Sequence, residues 1–284
     1  MNVAVVDYRA SDAPTRFTES LRSTGFAVVV NHPINYELVQ RLHNEWLAFF
    51  RSERKWEYLP GENDQDGYRP LEESETALGA QLRDIKEYFH WYPWGRQPLD
   101  VSASAAAVYQ AGMSLGIELL GWVEANTPRT ITETFSMPLS QMITGTRRTL
   151  LRILHYPPLR GDEPVGSVRA AAHEDNNMLT VLPAANEPGL QVCDLDGKWH
   201  DVPCDPGSVA INAGDMLKFV SAGYYPSTTH QVTNPVGELA QRSRVSTPLF
   251  LHPADDVVIA ENKTAFDFLR ERIKTIAVVD LAKN

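Results

Sequence analysis

The sequence predicts a β-rich α+β protein, an antiparallel sandwich or barrel supported by helices from the N-terminal half. Three observations carry this expectation. Apolar residues before about Arg147 recur mostly at helical spacing. After Arg147 the pattern changes to short β-rich runs punctuated by Gly, Pro, Asn and Asp. No repeat and no low-complexity tract interrupts the 284 residues, which excludes solenoids and linker arrays.

The first helix is expected over Ala13 to Ser23, ahead of Gly25, and the second over Asn35 to Arg54, where Leu38, Val39, Leu42, Trp46, Phe49 and Phe50 keep helical spacing. Phe26 to Val30 between them reads as a strand. The third helix, Ala103 to Asn126, stops at Thr127-Pro128 because proline cannot continue it. Strands are then expected at Leu150 to His155, Met178 to Leu182, Gly189 to Cys193, Trp199 to Val202, Ser208 to Asn212, Met216 to Val220, His230 to Thr233 and Arg244 to Leu251. Asp194-Leu-Asp-Gly197 reads as a hairpin turn. A calcium loop fits poorly there, since Lys198 and Trp199 occupy positions that should hold an oxygen ligand and a glycine.

Composition narrows the function classes. Lys and Arg number 26 against 36 Asp and Glu, a net charge of −10, so phosphate backbones and anionic membranes are repelled and no nucleic-acid or membrane partner is expected. Cys193 and Cys204 are too few for a disulfide framework or a four-thiolate zinc site, which suits a reducing cytoplasm. The apolar run at the N-terminus is far shorter than a signal core. Ala103 to Val123 carries Gln110 and Glu118 and reads as a buried helix instead of a membrane span. A monomer or weak homo-oligomer is expected.

The chemistry concentrates in Ala171-Ala-His-Glu-Asp-Asn-Asn-Met-Leu-Thr180. On an extended backbone His173 and Asp175 point to the same face and can ligate one ion while Glu174 points away. The segment fails as H-E-x-x-H because Asn177 stands where a zincin helix needs histidine. A third ligand must come from elsewhere, and His200, His230 and His252 are available. His230 is the better candidate: it opens a strand 57 residues after His173, enough chain to fold back across a sandwich. Two imidazoles and a carboxylate on one side of an octahedral ion leave three positions open, the arrangement of non-haem Fe(II) oxygenases. Fourteen residues on, Arg244-Val-Ser246 again presents an i/i+2 pair to one face. A guanidinium fork plus a hydroxyl suits a small dicarboxylate. Arg152, Leu154 and Tyr156 share one face by the same alternation, so a phenol and a second cation can reach that cavity.

These residues resemble the iron and 2-oxoglutarate-dependent dioxygenases of the isopenicillin N synthase-like type. The likeness runs through nearly the whole chain: Gly25-Phe26, Asn31-His32-Pro33, Gly67-Tyr68, Asp84-Ile-Lys-Glu87, Tyr156-Pro-Pro158, His173-Glu-Asp175 with Leu179-Thr180, Gly189-Leu-Gln-Val192, Trp199, Pro206-Gly207, Asn212-Ala-Gly-Asp-Met-Leu217, His230-Gln-Val232 and Arg244-Val-Ser246. The resemblance implies a distorted double-stranded β-helix, or jelly-roll, core. It implies His173, Asp175 and His230 as Fe(II) ligands, and Arg244, Ser246 and Tyr156 on the distal carboxylate of 2-oxoglutarate, with O2 as the second co-substrate. It also implies a single catalytic unit over 1–284: a mostly helical region 1–140, a core 145–256 and a C-terminal helix 257–284. Three departures stand out. Asn31-His-Pro33 replaces the usual Asn-His-Gly, Gln231 stands where Arg often follows the distal His, and the His230 to Arg244 interval is longer than usual, with Gly237-Glu238 suggesting a lengthened turn.

The implied reaction couples oxidative decarboxylation of 2-oxoglutarate to succinate with hydroxylation, desaturation or cyclisation of a small metabolite, such as an intermediate of secondary metabolism (antibiotic biosynthesis included) or an amino-acid derivative. Some members of the family use no 2-oxoglutarate, although Arg-x-Ser favours it. A zinc hydrolase could use the same three ligands but has no need of Arg244-Val-Ser246, and a non-catalytic jelly-roll binding module would not carry the whole ordered series. For the substrate, Arg152, Arg69, Tyr68 and Trp91 are candidates; Tyr68, Arg69, Phe89, Trp91, Tyr92 and Trp94 stand in loop-like contexts available to line the mouth, and Tyr224 and Tyr225 precede the distal His. Arg69 or Arg152 would pair with a substrate carboxylate.

Overall fold

The structure is a computed structural model and describes residues 1–61, 64–74 and 82–272. The chain begins with strand β1 (Val5–Asp7), helix α1 (Ala13–Thr24), β2 (Phe26–Val30) and α2 (Tyr36–Phe50), followed by a 3₁₀ turn over Glu53–Tyr58. Strands β3 (Gly67–Arg69) and β4 (Glu87–Trp91) precede the long helix α3 (Ser102–Ala125) and the short helices α4 (Arg129–Thr132) and α5 (Leu139–Met142). The β-rich half holds β5 (Leu150–Tyr156), β6 (Ala170–His173), β7 (Leu179–Pro183), β8 (Leu190–Cys193), β9 (Trp199–Asp201) and β10 (Val209–Ala213). Helix α6 (Asp215–Val220), β11 (His230–Val232), β12 (Arg244–Ser246), β13 (Leu249–Leu251) and the hairpin β14 (Val258–Ala260) and β15 (Lys263–Thr264) complete it.

Local chemistry explains the main helices. Pro14 lies in the first turn of α1, and Gly25 ends the helix at φ 71°, its N–H reaching Leu21 O. A Cβ on Gly25 would lie 2.2 Å from Thr228 Oγ1, so glycine is required both for the turn and for the close passage of the segment before β11. Asn35 caps α2 by accepting the Leu38 N–H. Helix α3 lies so close to β13 that a Cβ on Gly116 would meet Leu251 Cδ1 at 2.2 Å.

Among the described residues, nine strands form the large sheet in the order β1-β2-β10-β7-β13-β5-β4-β3, with β12 pairing β5 ahead of β13. The expected strand Arg244 to Leu251 is therefore two, broken at Thr247-Pro248. The small sheet is β6-β11-β8-β9. One core fills the space between the helices and the large sheet, with Trp46, Phe50, Phe89 and Leu151 fully enclosed. A second lies between the two sheets, where Phe26, Tyr88, Leu154 and Tyr156 meet Ala170, Val192 and Val232. Two facing sheets joined in this way are the jelly-roll core, buttressed on one side by the N-terminal helices.

Several expectations need correction. Met216 to Val220 is helix α6, not a strand. Its buried Met216, Leu217 and Val220 follow helical spacing, and the N–H groups of Gly214, Asp215 and Met216 dock on the carbonyls of Met178, Asp175 and Asn177 at 3.1, 2.7 and 3.1 Å. A short apolar run does not by itself distinguish helix from strand. The N-terminal region supplies β1, β2, β3 and β4 to the large sheet, so Tyr68, Arg69, Phe89 and Trp91 stand on strands instead of loops. In the 257–284 region the β14–β15 hairpin comes first and helix begins at residue 265; residues 273–284 lie outside the described residues. The Asp194 turn is present, closed by Gly197 N–H to Asp194 O at 2.9 Å. The long interval before Arg244 is taken up by a 3₁₀ turn over Gly237–Gln241.

Candidate active site

Strands β6 and β11 lie antiparallel with His173 opposite His230 in register. Asp175 follows β6 and turns back beside them. The three side chains offer His173 Nε2, His230 Nε2 and Asp175 Oδ1, with candidate donor atoms within 4.8 Å of one another. Asp175 Oδ1 is 3.8 Å from His173 Nε2 and 3.7 Å from His230 Nε2.

Each donor is held in a ligand-ready state. The Nδ1 of His173 lies 2.8 Å from Ala171 O, and that of His230 lies 3.1 Å from Thr228 O. A carbonyl only accepts, so Nδ1 carries the proton on both rings and each Nε2 keeps its lone pair for an ion. Asp175 Oδ2 is occupied by Thr180 Oγ1 at 2.5 Å and Asn212 Nδ2 at 2.8 Å, which leaves Oδ1 to face the imidazoles. Enclosure by protein and the neighbouring His230 push the His173 pKa down to about 4. Burial pushes the Asp175 carboxyl up, but the two histidines and its hydrogen bonds outweigh that and hold it below the ordinary range. Neutral imidazoles beside a carboxylate are the donor set of a divalent metal site, and these residues fit Fe(II). The His173 side chain is 38% exposed against 9% for His230 and 6% for Asp175, so the cluster opens on the β6 side.

Of the other histidines, His200 Nε2 lies 2.6 Å from Asp194 Oδ2 in the hairpin, away from the cluster. His252 lies on the same side of the large sheet as Phe250, its Nδ1 3.1 Å from Phe250 O, with burial holding its pKa near 4. Neither joins the three-residue group. The Asp84–Glu87 segment supports it from the side: Asp84 Oδ1 accepts the Ala171 N–H at 2.9 Å, Ile85 N–H reaches Val168 O, and Lys86 Nζ closes on Asp84 Oδ2 at 2.8 Å.

Deeper between the sheets, Arg244 lies opposite Tyr156 in the β12–β5 register and Ser246 opposite Leu154. The Arg244 guanidinium is 5.1 Å from the Tyr156 ring centroid, and its Nε donates to Glu187 O at 3.0 Å. Its Nη1 is buried with no partner among the described residues. A buried guanidinium with an unanswered N–H is the state expected of a carboxylate receptor, and it fits 2-oxoglutarate.

The mouth is lined differently from the expectation. Tyr88 and His90 face the small sheet, whereas Phe89 and Trp91 belong to the helix-side core. Tyr68 pairs with Phe89 across β3–β4 and shares that helix-side core, where its hydroxyl donates to Glu87. Tyr68 and Trp91, 1% and 2% exposed, therefore do not face the metal cluster; strand parity puts their neighbours there instead. Tyr225 is likewise buried against Thr127 and Val123. Arg152 does turn toward the space between the sheets, on the same face of β5 as Leu154 and Tyr156. Its guanidinium lies 4.8 Å from the Tyr88 ring and 5.4 Å from Phe250, and its Nε donates to His90 Nε2 at 3.0 Å. His90 Nδ1 in turn donates to Gln65 O at 2.9 Å. Arg69 lies opposite Tyr88 at the sheet edge and donates to the carbonyls of Asp66 and Asp64.

The model for the 2OG-Fe(II) oxygenase superfamily matches residues 148–253, and that for the N-terminal region of non-haem dioxygenases in morphine synthesis matches residues 6–108. A Shewanella oneidensis protein described as an oxygenase has a crystal structure 51% identical in sequence, covering 98% of this chain and 100% of its own, with a TM-score of 0.88. The chain belongs to the 2OG-Fe(II) oxygenase superfamily. This oxygenase is also 29% identical to a Caulobacter crescentus 2OG-Fe(II) oxygenase family protein, with 96% and 99% coverage and a TM-score of 0.77. It is 26% identical to Gibberellin 2-beta-dioxygenase 2 of Arabidopsis thaliana over 265 residues, 89% of this chain and 74% of that one. It is an Fe(II)/2-oxoglutarate-dependent dioxygenase of the isopenicillin N synthase-like type, with Fe(II), 2-oxoglutarate and O2 as its cofactors and co-substrates. Among the described residues no helix is long and apolar enough to cross a membrane.

Thr180 and Asn212, which orient Asp175, belong to the ordered series of matching residues, but their spacing from Asp175 carries no sign of that contact. The His90–Arg152 pair has no sequence signal either, because it arises from β4–β5 register.

Proposed function

We propose that His173, Asp175 and His230 hold the iron, that Arg244, Ser246 and Tyr156 receive the distal carboxylate of 2-oxoglutarate, and that the enzyme oxidises a small acidic metabolite whose carboxylate faces Arg152. Two observations carry this reading: the open-sided cluster of two histidines and one carboxylate, and a buried Arg244, next to Tyr156 of the core between the two sheets, whose Nη1 has no partner among the described residues. When bound, the iron supplies O2 activation coupled to decarboxylation of 2-oxoglutarate to succinate and CO2, and oxidation of a substrate C–H bond. The chain's own residues do the rest. Arg244 fixes the distal end of the co-substrate, so its 2-oxo acid end points to the metal ligands. Leu154, Val192 and Val232 exclude water between the sheets. Arg152, stacked between Tyr88 and Phe250 and held by His90, offers a positioned cation at the mouth. Arg69 supplies a second positive charge farther along the wall.

Hydroxylation, desaturation and ring closure all begin with removal of one hydrogen atom, so the same arrangement serves each. Anaerobic titration with Fe(II) and then 2-oxoglutarate is expected to develop the weak visible charge-transfer band of the chelate, and the band is lost in His230→Ala but not in His200→Ala or His252→Ala. A full-strength band in His230→Ala sinks the ligand assignment. For the substrate, succinate formation against a small-molecule panel is expected to favour carboxylates, and Arg152→Ala to remove that preference. Turnover stimulated only by a macromolecule, or an acid preference that survives Arg152→Ala, overturns the substrate reading.

A further inference from the structure

Two buried guanidinium groups, those of Arg169 and Arg244, approach the same Tyr156 ring between the sheets. Arg169, four residues before His173, is 1% exposed. Its Nη2 donates to Arg242 O at 3.0 Å, but its Nε has no partner among the described residues. Its guanidinium carbon is 5.9 Å from the centroid of the Tyr156 ring, the same ring that Arg244 approaches at 5.1 Å. No ion pair to either guanidinium is found among the described residues. Glu187, which acts electrostatically on both, lies 3.5 Å from Arg242. Burial first, and then Arg244, hold the Arg169 pKa down to about 10, so Arg169 remains cationic at neutral pH, and a guanidinium such as that of Arg244 is not deprotonated in proteins. Like charges enclosed together without an anion oppose folding and favour an anionic occupant.

We infer that Arg169 is a second cationic binding residue of the 2-oxoglutarate pocket, supplying charge from its floor while Arg244 makes the direct contact to the distal carboxylate. The inference rests on the assignment of Arg244 above. It differs from a structural reading, in which Arg169 serves only to tie β6 to residue 242.

The two readings separate in anaerobic binding titrations of the Fe(II)-loaded protein, followed by the chelate band, and in thermal unfolding of the ligand-free protein. The ligands are 2-oxoglutarate and 2-oxopentanoate, which has a methyl group in place of the distal carboxylate. Arg169→Met is expected to weaken 2-oxoglutarate by about 30-fold, the effect of one charge at ~8 Å in an effective dielectric of ~20. It should leave 2-oxopentanoate within about twofold and the ligand-free protein at least as stable. Arg169→Lys should keep most of the 2-oxoglutarate affinity. Unchanged 2-oxoglutarate affinity in Arg169→Met overturns the inference, as does equal weakening of both ligands with a less stable apoprotein. Arg244→Met tells the two assignments apart: intact 2-oxoglutarate binding there refutes the Arg244 anchor itself, whereas loss there with none in Arg169→Met rejects only Arg169.

Discussion

On β4 and β5 the residues Phe89, Trp91, Leu151 and Ile153 turn toward the helices, while their neighbours Tyr88, His90, Arg152 and Tyr156 turn toward the small sheet. The helix-side face is an aromatic core: Trp46 meets Phe49, Phe50 and Phe89 at centroid distances of 5.2, 6.2 and 5.0 Å. The inner face carries Thr180, Asn212, Arg152 and Arg244, each with polar atoms directed into the cavity or at a metal-ligand candidate. One face can be apolar enough to stabilise the sheet because the other is free to keep charged and hydrogen-bonding groups. A packed face therefore holds the strands in register, and register places the reactive groups.

Mutation of each face should separate the two roles. On the inner face, Asp175→Ala is expected to abolish iron retention and turnover while costing only about 1–3 kcal/mol of unfolding stability, from the buried Thr180 and Asn212 donors it leaves without an acceptor; metal analysis and succinate release measure the first, denaturant unfolding the second. Retained stoichiometric iron would refute the role of Asp175. On the helix-side face, Trp46→Ala should cost about 3–5 kcal/mol of unfolding stability with iron content unchanged under native conditions. If it strips the metal without destabilising the fold, the division between the faces is wrong. Thr180→Val removes one hydrogen bond to Asp175 and should weaken metal affinity by about 10–100-fold, measured by competition with a chelator; an unchanged affinity would show that Asn212 alone orients the carboxylate.

The smallest effect joins the two faces through pH. His43 on α2 is buried against Thr247, with its pKa pushed down to about 4 by burial and by Arg244. The unfolded chain binds a proton at the ordinary value of 6.5 while the folded chain does not. Stability is therefore complete above about pH 6.5 and falls progressively as pH drops toward 4. His43→Gln should flatten that part of the stability curve, and an unaltered slope would assign the acid sensitivity to His173 and His252, whose values are depressed the same way.

Much of the site is legible in the amino-acid sequence alone. Alternation by two residues puts His173 with Asp175 and Arg244 with Ser246, and spacing of 3 to 4 residues marks α1, α2 and α3, because each depends only on local backbone geometry. What local geometry cannot decide is parity and partnership across the chain. Tyr68 and Trp91 miss the cavity because the β3–β4–β5 register, set by packing on Trp46 and Phe50, turns them to the helices and brings Arg152 with His90 to the mouth. The third histidine is a choice among candidates until β6 and β11 pair His173 with His230. Thr180, Asn212 and Arg169 act through contacts that exist only once two sheets face each other. Residue types and local spacing set the chemistry available and the family likeness, whereas which groups meet is settled only in the closed fold, because strand register and sheet closure depend on the burial of a whole face and not on any one segment.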